Sequence, residues 1–301
     1  LVVYSNAISQ SNPERVRAQE LKLPILTRAA ALAMLMSESK SVAVAGTHGK
    51  TTTSSMLAVA LQACAADPSF AIGGTITASG SNAHRGTGEI FVAEADESDG
   101  SFIEYHPFAA IVTNVEHDHV DYFATEADVT KAFAEFAETI AKDGYLIYCA
   151  DDQGSADLAL TITDLNLISY GTREGTDLFI DSINLLPMGS TARVLWKGRT
   201  IGNLSLQVPG LHNVLNAGAA LAMALVLGAP AADASCWYIG SDAISRASHS
   251  NALCAKLTDA ESCVGRVASS FSTSGSVVIV LEAGSTVMGN GCSFSDGRCA
   301  I

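Results

Sequence analysis

The 301-residue sequence predicts an α/β fold, a mostly parallel sheet flanked by helices, with a small antiparallel excursion and an unassigned C-terminal tail. Three observations carry that expectation. Strand-like and helix-like segments alternate from Ser41 to about Leu227, the pattern of a sheet built by crossover connections. The runs SVAVA, EIFVAEA, AAIVTN and YLIYC are largely apolar without strict alternation, as strands covered on both faces are. A glycine-rich turn, GTHGKT, separates the first of these strands from a helix.

The elements follow in chain order. The opening, LVVYS, reads as a strand running into a turn, and because the chain starts without Met its natural N-terminus is expected upstream. SNPERVRAQELKLPILTRAAALAMLM reads as helix, short strand, helix, too little for a domain of its own. Residues 1–40 are therefore assigned to the end of a preceding α/β domain and 41–232 to a central one. Within the latter, Thr125 and Asp128 in TEADVTKAFAEFAETIAK form a capping box ahead of Phe133, Phe136 and Ile140 at helical spacing. Between Ile162 and Val208, LNLISYG, DLFIDSINLL, ARVLWKG and LSLQV are short strands broken by Gly, Asp and Asn, the expected antiparallel excursion. The last helix is expected from His212 to Leu227. Beyond it, over 233–301, Ser, Cys and Gly rise and periodicity fades.

Charge and composition exclude several classes. Seventeen basic against 31 acidic side chains give a net charge of -14, and no clustered basic surface suited to nucleic acid is found. There is neither a long apolar run nor a signal-peptide start, so a soluble, cytoplasmic chain without a membrane partner is expected. The seven cysteines form no CxxC pair, which leaves a zinc site or redox motif without support.

The turn after the first buried strand carries the chemistry. Gly46, Thr47, His48, Gly49, Lys50 and Thr51 lie where backbone N–H groups and the positive end of a helix face phosphate oxygens. Lys50 is placed to reach the β- and γ-phosphates and the Thr51 hydroxyl to sit on Mg²⁺. In position and chemistry this is a P-loop, although Val44 stands where the common form has its first glycine. Glu94, Asp96, Glu97 and Asp99 follow another buried strand, at the sheet edge where α/β folds bind ligands, and carboxylates there suit Mg²⁺. His119 and Asp121 emerge at the same edge, His119 as a metal ligand or as a group orienting phosphate or carboxylate, whereas His117 is expected to be exposed. His212, Asn213 and Asn216 begin the last helix, either as amides and imidazole on an adenine edge or as helix-capping side chains.

Taken together, GTHGKTTT, EADESDGSF, AIVTNVEHDHVDYF and GLHNVLNAGAALA resemble the ATP-binding domain of the Mur ligase family, the ATP-dependent amide ligases of peptidoglycan precursor synthesis. The resemblance spans about residues 1–232, and VVYSNAISQSNPERVRAQELKLPIL is similar to the end of that family's UDP-binding N-terminal domain. It implies ATP and Mg²⁺ as cofactors. Lys50, Glu94 and His119 would be the catalytic group, Thr51, Glu94 and His119 the magnesium-associated positions, and His212, Asn213 and Asn216 the adenine side. The wording of the motifs is most similar to the branch that joins L-alanine to UDP-N-acetylmuramate through an acyl phosphate. A ligase recycling murein tripeptide and a nucleotide-binding module without ligase activity are the alternatives. The tail matches nothing expected of the family's C-terminal domain; it reads either as the product of a reading-frame shift or misjoined gene or as a genuine divergent segment, and a search of the other frames of the coding DNA distinguishes the two.

Overall fold

The computed structural model describes residues 1–76, 79–118, 122–229, 238–239 and 279–281. The tail assigned to 233–301 therefore lies outside the described residues apart from two short strands. The chain divides into two units, residues 1–31 with 271–301 and residues 32–270.

In the first unit, β1 (Val2–Tyr4) is followed by α1 (Pro13–Glu20) and β2 (Ile25–Thr27). Asn12 starts the helix because its side-chain oxygen accepts from the N–H groups of Glu14 and Arg15, while Pro13 occupies the first helical position, where its missing N–H costs nothing. The guanidinium of Arg15 lies 4.0 Å from the Tyr4 ring centroid and donates to the carbonyl of Ile8, fixing helix to strand.

The second unit is organised by one large sheet. After α2 (Arg28–Met36) come β3 (Lys40–Ala45), α3 (Lys50–Ala63), β4 (Ser69–Ile76), β5 (Ser81–His84), β6 (Ile90–Glu94) and β7 (Ala109–Val112). Then follow α4 (Glu126–Glu138), β8 (Tyr145–Cys149), α5 (Gln153–Thr161) and β9 (Asn166–Gly171). The chain continues through β10 (Leu178–Leu186), β11 (Gly189–Trp196), β12 (Arg199–Leu206), α6 (Leu211–Val226), β13 (Tyr238–Ile239) and β14 (Ile279–Leu281). Strand β14 pairs in parallel with β1, which pairs in parallel with β2. The large sheet runs β13-β12-β11-β10-β9-β8-β7-β3-β6-β4-β5.

Its centre is parallel, as expected: β3 lies between β6 and β7, with Val44 opposite Glu94 and Ala45 opposite Val112. The carboxyl ends of β3, β6 and β7 thus come level, and the loops after them meet. The antiparallel excursion differs from expectation at one strand. Within that stretch β10, β11 and β12 pair antiparallel, whereas β9 joins β8 and β10 in parallel, so the excursion is an extension of the main sheet; at the opposite edge β4 and β5 also pair antiparallel.

Val42, Val44, Ile111 and Ile147 are buried in one cluster with Met56, Leu57 and Leu61 of α3 and Val214, Leu221 and Met223 of α6. The intervening Ala43, Ala45, Ala110, Val112 and Leu146 are equally buried and point the opposite way, so both faces of the sheet are covered. The predicted capping box of α4 forms in both directions, and Phe133, Phe136 and Ile140 are buried, with Phe136 stacked on Phe102 at 4.9 Å. Among the described residues no helix is long and apolar enough to cross a membrane.

Asp152 caps α5 and also ties it to the site edge, because its Oδ1 accepts from the N–H of Ser155 at 2.7 Å and of Val115 at 3.1 Å. Asp152→Ala is expected to cost about 1–2 kcal/mol, a drop of a few degrees in unfolding midpoint, about 2–4 °C per kcal/mol for a domain of this size. A midpoint unchanged by calorimetry would show that the cap carries no weight.

Candidate active site

The loop between β3 and α3 turns on two glycines. Gly46 has φ +131° and Gly49, the N-cap of α3, has φ +84°, both conformations that side-chain-bearing residues avoid. Space forbids a side chain as well: a Cβ on Gly46 would lie 2.1 Å from Thr113 Oγ1, and one on Gly49 would lie 2.6 Å from Asn216 Oδ1.

Residues just after β7 hold the loop in place. The Thr113 hydroxyl donates to the His48 carbonyl at 2.6 Å, Asn114 Oδ1 accepts from the His48 N–H at 2.8 Å, and the Thr47 N–H donates to the Asn114 carbonyl. Thr47 returns the tie, its hydroxyl donating to the Glu116 carbonyl at 3.1 Å and accepting from the Glu116 N–H at 3.0 Å. The His48 side chain itself is exposed. Thr113 and Asn114 were legible only as the two polar residues ending a buried run beside the loop strand. Nothing in the sequence marks them as its supports.

The four acidic residues that end β6 and follow it separate into different tasks. Glu94 Oε1 accepts from the Thr51 hydroxyl at 2.9 Å and Oε2 from the Gly73 N–H at 2.7 Å. Glu97 instead faces Lys50, with Nζ to Oε1 at 2.9 Å, in a pair whose side chains are 12% and 2% exposed. Asp96 and Asp99 each accept a backbone N–H two residues on, from Ser98 and Ser101, and so shape the turn. Burial pushes the Glu97 carboxyl above the usual glutamate range, and the hydrogen bond and charge of Lys50 offset that only in part.

Lys50 also donates to the carbonyls of Gly46 at 2.8 Å and Thr47 at 3.2 Å, so its ammonium lies folded over its own loop. The structure thus brings together Gly46, Thr47, Gly49, Lys50, Thr51 and Glu94. Asn216 joins them from α6, buried against Gly49. Its two companions stand apart: Asn213 donates to the Pro209 carbonyl at 2.7 Å, and His212 is exposed beside Gly210. None of the three caps α6, whose N-cap is Gly210. His119 and Asp121 lie outside the described residues, while His117 is exposed and its Nε2 is 3.2 Å from the Phe123 carbonyl oxygen.

Comparison with known proteins matches this architecture to the Mur ligase middle domain over residues 44–224 and to a Mur ligase family catalytic domain over residues 1–40. The UDP-N-acetylmuramate–L-alanine ligase of Acidothermus cellulolyticus is 48% identical over 231 residues, covering 76% of this chain and 48% of its own length. Among solved structures, the UDP-N-acetylmuramate:L-alanyl-gamma-D-glutamyl-meso-diaminopimelate ligase of Neisseria meningitides is similar at a TM-score of 0.67 and 27% identity, covering 78% of this chain and 76% of that one. The UDP-N-acetylmuramate-alanine ligase of Thermotoga maritima is similar at 0.66 and 29%, covering 78% and 53%. The chain spans about half the length of the curated relatives it matches.

Proposed function

The chain belongs to the Mur ligase family, and on that premise we propose that it is the nucleotide-holding part of an ATP-dependent ligase that joins L-alanine to the carboxylate of UDP-N-acetylmuramate in peptidoglycan precursor synthesis. Residues 41–232 are its ATP-binding domain and residues 1–40 the end of a UDP-binding one. On this reading the protein works in the cytoplasm.

The observation that carries the proposal is the Thr51 hydroxyl 2.9 Å from the Glu94 carboxylate at the start of α3, one residue from Lys50. A hydroxyl and a carboxylate are hard oxygen donors, and Mg²⁺ takes one or two of these from protein while keeping waters and phosphate oxygens. Thr51 and Glu94, with His119, would hold Mg²⁺, which when bound neutralises the charge that builds on the phosphates.

The chain's own groups do the rest. The glycine turn and the first N–H groups of α3 cradle the phosphates, and Lys50 draws charge from the transferring phosphoryl group. The UDP-N-acetylmuramate carboxylate attacks the γ-phosphorus, ADP leaves, and the amine of L-alanine displaces phosphate from the acyl carbon. His212, Asn213 and Asn216 are assigned to the adenine side, with Asn216 reaching the loop itself.

The reaction requires that one carboxylate oxygen end in phosphate, so ¹⁸O-labelled UDP-N-acetylmuramate incubated with the chain, MgATP and L-alanine tests it. Labelled inorganic phosphate with an L-alanyl product is expected. A product only with the tripeptide would assign the recycling reaction, and nucleotide binding without product would reduce the chain to a binding module. Thr51→Ala and Glu94→Gln are expected to raise the Mg²⁺ concentration needed for half-maximal ATP binding by about tenfold each, the worth of one metal ligand or its support. Unshifted magnesium titrations would remove both residues from the cation site.

A further inference from the structure

Lysine carries three N–H donors, and Lys50 has three acceptors, the carbonyls of Gly46 and Thr47 and the carboxylate of Glu97. A phosphate oxygen therefore gains this ammonium only when one acceptor is released. The three are not equivalent. The two carbonyls are neutral and belong to the loop that faces the nucleotide. Glu97 is charged and 2% exposed, and its neighbour Asp96 adds a like charge. Releasing a carbonyl exchanges one hydrogen bond for another, whereas releasing Glu97 deprives a buried carboxylate of a cation.

We propose that Glu97 is a positioning residue for Lys50, which keeps the carboxylate and turns from the Gly46 and Thr47 carbonyls to the phosphates when nucleotide binds. The acidic run that begins at the end of β6 then serves two cations, Glu94 the metal and Glu97 the lysine. This rests on the reading of the loop as an ATP site. Its own content is which of the three bonds survives binding.

The test uses the full chain and its Glu97→Gln variant, with Glu97→Met, also without a carboxylate and suited to a buried position, as a second variant should the first fail to fold. In nucleotide-free protein, a water-soluble acylating reagent followed by peptide mass spectrometry measures how readily Lys50 is modified. Loss of the carboxylate is expected to speed modification by about three- to tenfold, the factor corresponding to the net worth of one hydrogen bond. Calorimetric MgATP titrations in buffers of different ionisation enthalpy then count the protons taken up on binding. Equal counts for native chain and variant are expected, because a carboxylate that keeps its lysine stays ionised.

Unchanged Lys50 modification would overturn the proposal, as would native uptake of about one proton more than the variant, since a displaced buried carboxylate protonates. Absence of any MgATP heat from the native chain would instead defeat the ATP reading. The labelling comparison would still decide whether Glu97 holds Lys50.

Discussion

Lys50→Ala is expected to lower MgATP affinity by about two orders of magnitude, the worth of a charge-assisted contact to phosphate, and to abolish phosphoryl transfer, while leaving a folded domain. Folding survives because the partner left behind can neutralise itself. Both contributions of Lys50 to Glu97, its hydrogen bond and its charge, lower the carboxyl's affinity for protons, so their loss raises it further above the range where burial has already put it.

The sign of the pH effect follows. A native carboxyl that binds protons more tightly than its unfolded counterpart loses stability as pH rises from the ordinary glutamate range through its native value. The variant should therefore lose stability relative to the native chain as pH is raised through that window, with the two converging in acid. Denaturation midpoints at a series of pH values measure this, and parallel curves would contradict it. Retained ATP turnover in Lys50→Ala would remove the loop from the chemistry.

The second large effect is steric. Gly46→Ala places a methyl group 2.1 Å from Thr113 Oγ1 and 3.0 Å from the Thr113 nitrogen, in a backbone conformation of φ +131°. Strain and overpacking together should cost about 3–5 kcal/mol, a fall of about 10 °C or more in unfolding midpoint. Thr113 cannot give way freely, because its hydroxyl also holds the His48 carbonyl. A variant that melts with the native chain would mean that the loop has room the structure denies it. A double variant with Thr113→Ala should recover part of the loss by removing the clashing oxygen.

The parts of this fold that announce themselves in the sequence do so by burial. SVAVA and AAIVTN read as strands because both faces are covered, and the capping box of α4 is a local bargain between Thr125 and Asp128. Strand β4 stays hidden because SFAIGGTI is interrupted by Gly73 and Gly74. These glycines make room for the site: a Cβ on Gly73 would lie 2.8 Å from Glu94 Oε2, and one on Gly74 would lie 2.7 Å from Thr51 Cγ2. The needs of the site weakened the signal of the strand. Helix α5 was obscured in a similar way by the polar start DDQGS, which reads as a turn until Asp152 is seen to cap it.

Lys50, Thr51 and Glu94 were each readable as candidates from motif and position. Their grouping needed the register that sets Val44 opposite Glu94. The pairing of Lys50 with Glu97 across 47 residues was not readable, since four acids in a run look alike until the chain turns between them. Asn216 reaches Gly49 only because α6 packs with α3 in the core cluster, so its neighbourhood is a property of helix packing and not of its own motif.

The thermal unfolding midpoint of the native chain, measured with and without saturating MgATP, tests most directly whether the loop from Gly46 to Thr51 holds the phosphates of ATP. A ligand that binds only the folded state at about 100 times its dissociation constant adds about 2.7 kcal/mol, so a rise of about 5–10 °C is expected. A midpoint that does not move would contradict it.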